Sequence, residues 1–134
     1  MTPSAAETSS APLARSVARY LLIGVIATAV HYLVLVLCVE VAGWRPWLAS
    51  GIGATVGAQV AYAGNRLYTF DHRGAVGASW PKFQIVALAG ALQGMAIVAV
   101  AVRGGWHYVA AQVAATLAGL VLTYTLNRLW TFRR

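Results

Sequence analysis

Four apolar stretches govern what this chain can become: residues 20–39, 47–64, 83–102 and 108–126, each 18 to 20 residues long and free of Lys, Arg, Asp and Glu. At about 1.5 Å per residue, such a run just crosses the roughly 30 Å of a bilayer's hydrocarbon. Only 10% of the residues are charged, against about a quarter in a soluble domain, so there is too little polar surface for a water-facing fold. The expectation is an all-α integral membrane protein with four transmembrane helices. The first stretch follows Arg15 and Arg19 as a leader would. It is too long for a leader's apolar core, though, and no small-residue cleavage site follows it. Cys38 is the only cysteine. It excludes an intramolecular disulfide and reads as a small apolar side chain on a helix.

The chain also repeats. Asn65-Arg66-Leu67-Tyr68-Thr69-Phe70 returns as Asn127-Arg128-Leu129-Trp130-Thr131-Phe132, a shift of 62 residues. The same shift lays Gly43-Trp44 on Gly105-Trp106, Ala49 on Ala111, Gly57 on Gly119 and Tyr62 on Tyr124. A fixed period implies repeated architecture. Each half holds two stretches joined by a short turn, at 40–46 and at 103–107, so each half is a helical hairpin. Units of two spans enter the membrane in the same sense, which predicts a parallel repeat about an axis along the membrane normal. The expected layout is a disordered cytoplasmic tail over 1–14 and a four-helix membrane domain over 15–134. Its repeat halves are 19–70 and 82–132, with a link at 71–81 rich in Gly and ending in Pro81.

A net charge of +7 invites a nucleic-acid partner, but the placement of the charge argues against one. Arg15, Arg19, Arg66, Arg73, Lys82, Arg128, Arg133 and Arg134 fall on one side of the four-span topology, and only Arg45 and Arg103 on the other. That is the positive-inside bias, and it predicts a multi-pass protein with both termini cytoplasmic. The basic residues then set topology and meet the headgroups of the bilayer. Glycines and alanines at Gly53 and Gly57, at Ala115 and Gly119, and at Gly90 and Gly94 read as packing seams, because helices in lipid associate through close backbone approach.

Arg19-Tyr20-Leu21-Leu22-Ile23-Gly24 opens the first helix, and the N-R-x-aromatic-T-F signature closes the second and the fourth. With these motifs the chain, from about residue 19 to residue 132, resembles the GtrA-like family of small polytopic membrane proteins. The resemblance implies a role in cell-envelope polysaccharide or glycolipid synthesis at the cytoplasmic (inner) membrane. There the substrate would be a polyprenyl-phosphate-linked sugar that is flipped across the bilayer. It equally implies an alternative, a non-transporting subunit that recruits or stabilises a membrane glycosyltransferase. Members often carry an acidic residue near the middle of the first helix, where this chain has His31.

A carrier of lipid-linked sugars needs polar groups along its path and cations where it loads. Thr55, Gln59, Tyr62 and Arg66 recur at helical spacing and form one polar stripe on the second span. On the fourth span only Tyr124 and Arg128 persist, since Leu117 and Val121 replace Thr55 and Gln59. Arg66 and Arg128 are the expected phosphate partners, with Arg19 a third, because guanidinium pairs bidentately with phosphate oxygens. Arginines at such positions also snorkel to the interface. Asn65 and Asn127 extend the headgroup path, although Asn also caps helix ends. His31 aligns with Gln93 under the repeat, and both fall near mid-membrane, where polar side chains face the bundle interior. Helix-helix bonding, headgroup contact and proton coupling are all open to His31. The tryptophans and tyrosines at the span ends read as an interfacial aromatic belt.

No nucleophile-base pair or carboxylate pair is present, so an enzyme is not expected. No nucleotide-binding motif is present either. No cofactor is expected, and no metal, since His31, His72 and His107 are far apart in the topology. Four short helices enclose little volume, so a homodimer or a partner is expected to complete the path. A small proton-coupled exporter is a further reading, but such proteins rely on a carboxylate within the first span. Glu40 lies at that span's far end.

Overall fold

The computed structural model describes the backbone of residues 5–69 and 76–126, with side chains over 11–67, 80–122 and 124–125. Among these residues all regular structure is helical: α1 (Ala5–Glu40), α2 (Pro46–Gly64), α3 (Val76–Arg103) and α4 (Tyr108–Leu126). α1 and α3 each hold a stretch long and apolar enough to cross a membrane, Ala11–Glu40 and Trp80–Arg103, and α4 a shorter apolar one, Tyr108–Leu122. The 19 residues of α2 rise about 28 Å. The fold is the expected bundle of four spanning helices.

The two hairpin turns are built alike because the repeat places a glycine at each. Gly43 takes φ 70° and Gly105 φ 92°, the left-handed conformation that ends helices and that a Cβ resists. Carbonyls freed at the helix ends are then satisfied across each turn, by Trp44 N–H to Cys38 O at 2.9 Å and Trp106 N–H to Ala101 O at 3.0 Å. The following helices restart differently. Pro46 opens α2 after Arg45, whose carbonyl accepts from Leu48 and Ala49, both at 3.1 Å. α4 is instead capped by the His107 ring, whose Nδ1 accepts the Val109 N–H at 3.2 Å.

Two local expectations are revised. The chain is helical from Ala5, so residues 5–14, expected as an irregular tail, lengthen α1. Once a helix is nucleated, each added residue gains a hydrogen bond. Asn65 stands at the C-cap position of α2 with a right-handed helical backbone (φ −67°, ψ −39°), so the chain runs on into a π-helical turn over Asn65–Thr69. The link between the halves is shorter than 71–81, since α3 already begins at Val76.

α1 packs on α2, α2 on α3, and α3 on α4. The large apolar side chains point outward. Leu21, Leu33, Ile85, Val100, Leu120 and Val121 are all exposed, whereas the buried positions are mostly small: Ala27, Ala49, Ala91, Ala111 and Ala115, with Ser50 and Gln112 among them. This inversion of a soluble core follows from lipid as solvent, where apolar surface gains nothing by turning inward and helices meet through small residues and polar bonds. The α1–α2 seam is the closest. A Cβ at Gly53 would lie 2.7 Å from the His31 carbonyl oxygen, and one at Gly57 would lie 2.9 Å from that of Ala27. The predicted seam on α3 is looser: a Cβ at Gly90 would meet nothing within 4 Å, and one at Gly94 only Ser50 Oγ at 3.8 Å.

Candidate functional site: a groove beside α2

α2 lies between α1 and α3, and this arrangement leaves a groove over its face. One part, about 730 Å³, is lined by Tyr20, Thr28 and Tyr32 of α1, Ala61 and Asn65 along α2 and its π turn, Phe83 of α3 and Leu120 of α4. A second part, about 370 Å³, shares Gly24, Thr28, Ala61 and Phe83 with the first and reaches Ala27, His31, Gly57 and Gly90. The two adjoin at these shared residues. Together they run from the end that carries Tyr20 and Asn65 to the middle of the bundle at His31. Their volumes fall in the roughly 300–1,000 Å³ range of ligand clefts. Glycine and alanine make the room: Gly24, Ala27, Gly57, Ala61 and Gly90 leave space that larger side chains would fill.

His31 forms part of this wall. Its ring lies over Gly53 of α2, with Cδ2 2.6 Å from where a Cβ would stand, so the glycine seam is what admits the imidazole. Nε2 is buried and has no hydrogen-bond partner among the described residues. A buried ring nitrogen without a partner is costly in a low-dielectric setting. Gln93 occupies the related place in the second hairpin, where its Oε1 lies 3.9 Å from a Cβ built at Gly119. Gly119 is the counterpart of Gly57, where a Cβ would lie 3.2 Å from the His31 Cβ, so the repeat sets a mid-helix polar residue of each first helix beside a matching glycine of the second; Gly53, under the imidazole, is replaced by Ala115 in the second hairpin.

The polar stripe of α2 is divided. Thr55 is exposed and turns its hydroxyl back to the Gly51 carbonyl at 2.8 Å. Gln59 exchanges two bonds with Gln84 of α3, at 2.8 and 3.1 Å. Tyr62 packs on Phe83 with ring centroids 5.3 Å apart. This stripe therefore joins α2 to α3, while the groove is lined by the neighbouring face that carries Gly57, Ala61 and Asn65. Asn65 and His31 share the groove; Gln59 and Thr55 do not line it. Arg66 follows Asn65 at the groove's end and is half-buried, Arg19 beside Tyr20 is exposed, and Tyr124 is exposed on α4. Asn127 and Arg128 lie outside the described residues.

The opposite half of the bundle is tied shut. Ser50 Oγ donates to Gln112 Oε1 at 2.5 Å in a fully buried bond between α2 and α4. The Tyr32 and Thr116 hydroxyls bond at 2.8 Å between α1 and α4. Nearer the hairpin turns, Tyr108 Oη donates to Glu40 Oε1 at 2.7 Å. Fully buried Leu35, Ala49, Val98 and Ala111 lie in the same half. Sequence reasoning missed Ser50, Gln84, Gln112 and Thr116. A signal for one pair was available: Ser50 and Gln112 are 62 residues apart, so they are equivalent positions, polar in both hairpins but not identical. Matching the halves by polarity rather than identity finds them. Gln84 has no comparable signature.

A family model, GtrA/DPMS, transmembrane domain, matches residues 19–132 of this chain. No curated protein and no solved structure matches it.

Proposed function

This chain belongs to the GtrA/DPMS family of transmembrane domains, and from that premise we propose that it carries a polyprenyl-phosphate-linked sugar from the cytoplasmic leaflet of the cell membrane to the outer one. The observation that carries the reading is the groove: mainly apolar, with Tyr20, Thr28, Tyr32, Asn65 and His31 as polar residues along it, reaching mid-membrane and bounded beyond His31 by the Ser50–Gln112 and Tyr32–Thr116 bonds. A protein that loads a lipid from one leaflet needs a cleft that admits a chain and offers a few polar groups to its head. The basic end faces the cytoplasm by the positive-inside rule.

Arg66, Arg19 and Arg128 receive the phosphate there, by charge-assisted bonds to its oxygens. Asn65, Tyr20 and Thr28 offer hydrogen bonds to sugar hydroxyls along the groove, and His31 borders its inner limit. Gln59, Gln84 and Tyr62 hold the helices that form the walls, and the prenyl tail stays in lipid. Moving one negative charge out of a negative interior releases about 2.3 kcal/mol per 100 mV, so the potential favours export without a nucleotide.

Proteoliposomes loaded with labelled polyprenyl-phosphate-sugar test this. Wild-type chain should expose the label to an external reagent, and Arg66→Gln with Arg128→Gln should lose most of that exposure while inserting normally. If the double variant flips lipid at the wild-type rate, the transport reading fails. If wild-type chain flips none but restores activity to a co-reconstituted glycosyltransferase, the protein is a recruiting subunit.

A further inference from the structure

The two basic residues on the far side of the topology line the same pocket. Arg45, from the first hairpin turn, and Arg103, from the last turn of α3, line one pocket of about 210 Å³ at the hairpin end, together with Trp47, Val98 and Val102. Nothing in the repeat demands either cation, since the 62-residue shift pairs Arg45 with His107 and Arg103 with Val41. Topology demands neither: this is the side where basic residues are scarce. Arg103 alone has a local explanation, because a cation suits the negative end of a helix dipole. Arg45 has none. It stands at the N-cap of α2 and makes no side-chain capping bond there, and the positive end of a helix disfavours a cation. Glu40, the acidic residue of this end, is engaged by Tyr108 and does not line the pocket. Two exposed arginines and a helix N-terminus thus border one small cavity whose lining holds no carboxylate. An anion entering it would be met by positive charge on three sides. Beneath the arginines the wall is apolar, with Val98, Ala99 and Val102 leading down the α2–α3 seam.

We propose that this pocket binds the phosphate group of a membrane lipid at the hairpin face, its chains lying along the seam below. The inference does not depend on translocation, since a resident anionic phospholipid satisfies it as well as an arriving prenyl phosphate does. Two bidentate guanidinium contacts predict at least a tenfold loss of affinity, on the order of 1.4 kcal/mol, when both are removed.

Purified full-length chain is titrated with phosphatidylglycerol, with undecaprenyl phosphate and with phosphatidylcholine, and lipid retention is read by native mass spectrometry. Arg45→Gln with Arg103→Gln should bind at least one of the two anionic lipids about tenfold more weakly, with phosphatidylcholine unchanged. Weakening for phosphatidylglycerol identifies a resident phospholipid. Weakening for undecaprenyl phosphate alone identifies a site for the prenyl lipid. The paired variant Arg45→Lys with Arg103→Lys keeps the charge and should recover part of the affinity, which separates lost phosphate contact from damaged folding. Unchanged binding of both anionic lipids in the glutamine variant overturns the proposal. So does a loss that extends equally to phosphatidylcholine, or a lysine variant as weak as the glutamine one.

Discussion

The half of the bundle near the hairpin turns and the half near the basic end are made from the same four helices, yet they behave as different materials. Near the turns, Leu35, Ala49, Val98 and Ala111 are fully buried and hydrogen bonds tie α4 to both α1 and α2. Toward the basic end the helices part around a groove that His31, Thr28 and Asn65 help to line. Short glycine turns hold each hairpin together at one end only. At the other end lipid supplies no hydrophobic force to draw apolar helices together, so the groove opens beside the contacts that remain there, Gly57 on Ala27 and Gln59 on Gln84. The lesson is that closure in this fold is made by particular bonds and seams, and openness is what remains without them.

The glycine seam should give the largest effect. At Gly53 a Cβ would lie 2.7 Å from a backbone carbonyl oxygen, and backbone cannot swing aside, whereas Gly90 has open space. Gly53→Val is expected to destabilise the bundle by about 1–3 kcal/mol, and Gly90→Val to leave stability nearly unchanged while narrowing the groove. Unfolding in mixed micelles measures both. Equal losses would mean that the two seams are alike and the comparison is mistaken.

The Ser50–Gln112 bond ranks next. A double-mutant cycle with Ser50→Ala and Gln112→Leu should give a coupling of about 0.6–1.7 kcal/mol, from the average to the maximum for hydrogen bonds between membrane helices. The same cycle on Gln59 and Gln84 should fall at the lower end of that span, because that pair is only partly buried. A larger coupling for the glutamine pair would move the bundle's anchor to the α2–α3 seam. The smallest effect is expected from Tyr108→Phe. Its bond to Glu40 is exposed, water replaces it readily, and thermal stability should not move measurably; a clear drop would show that the rim of the hairpin end also closes the bundle.

Much of the fold could be read from the residues alone. The helices α2 and α4 and the far ends of α1 and α3 fall where the apolar stretches do, and the matched turns at Gly43 and Gly105 follow from the repeat. The site was less legible. Helical spacing placed Thr55, Gln59, Tyr62 and Arg66 on one face of α2, but it could not say which neighbour that face would meet. It meets Gln84 and Phe83 of α3. His31 was recognisable as polar at mid-membrane, and only its fit over Gly53 made it part of a cavity wall. Periodicity fixes positions within a helix and leaves the rotation of one helix against another undetermined.

What the chain's order of residues decided, then, is the number of spans and the hairpin pairing. Those depend on properties that each segment carries by itself, its length of apolar surface and the turn residues beside it. The tertiary structure alone decided that Asn65 shares a groove with His31, that equivalent residues Ser50 and Gln112 join across the bundle, and that Arg45 and Arg103 face one pocket. These depend on how four cylinders rotate and tilt until side chains from different helices interlock, which no single segment encodes.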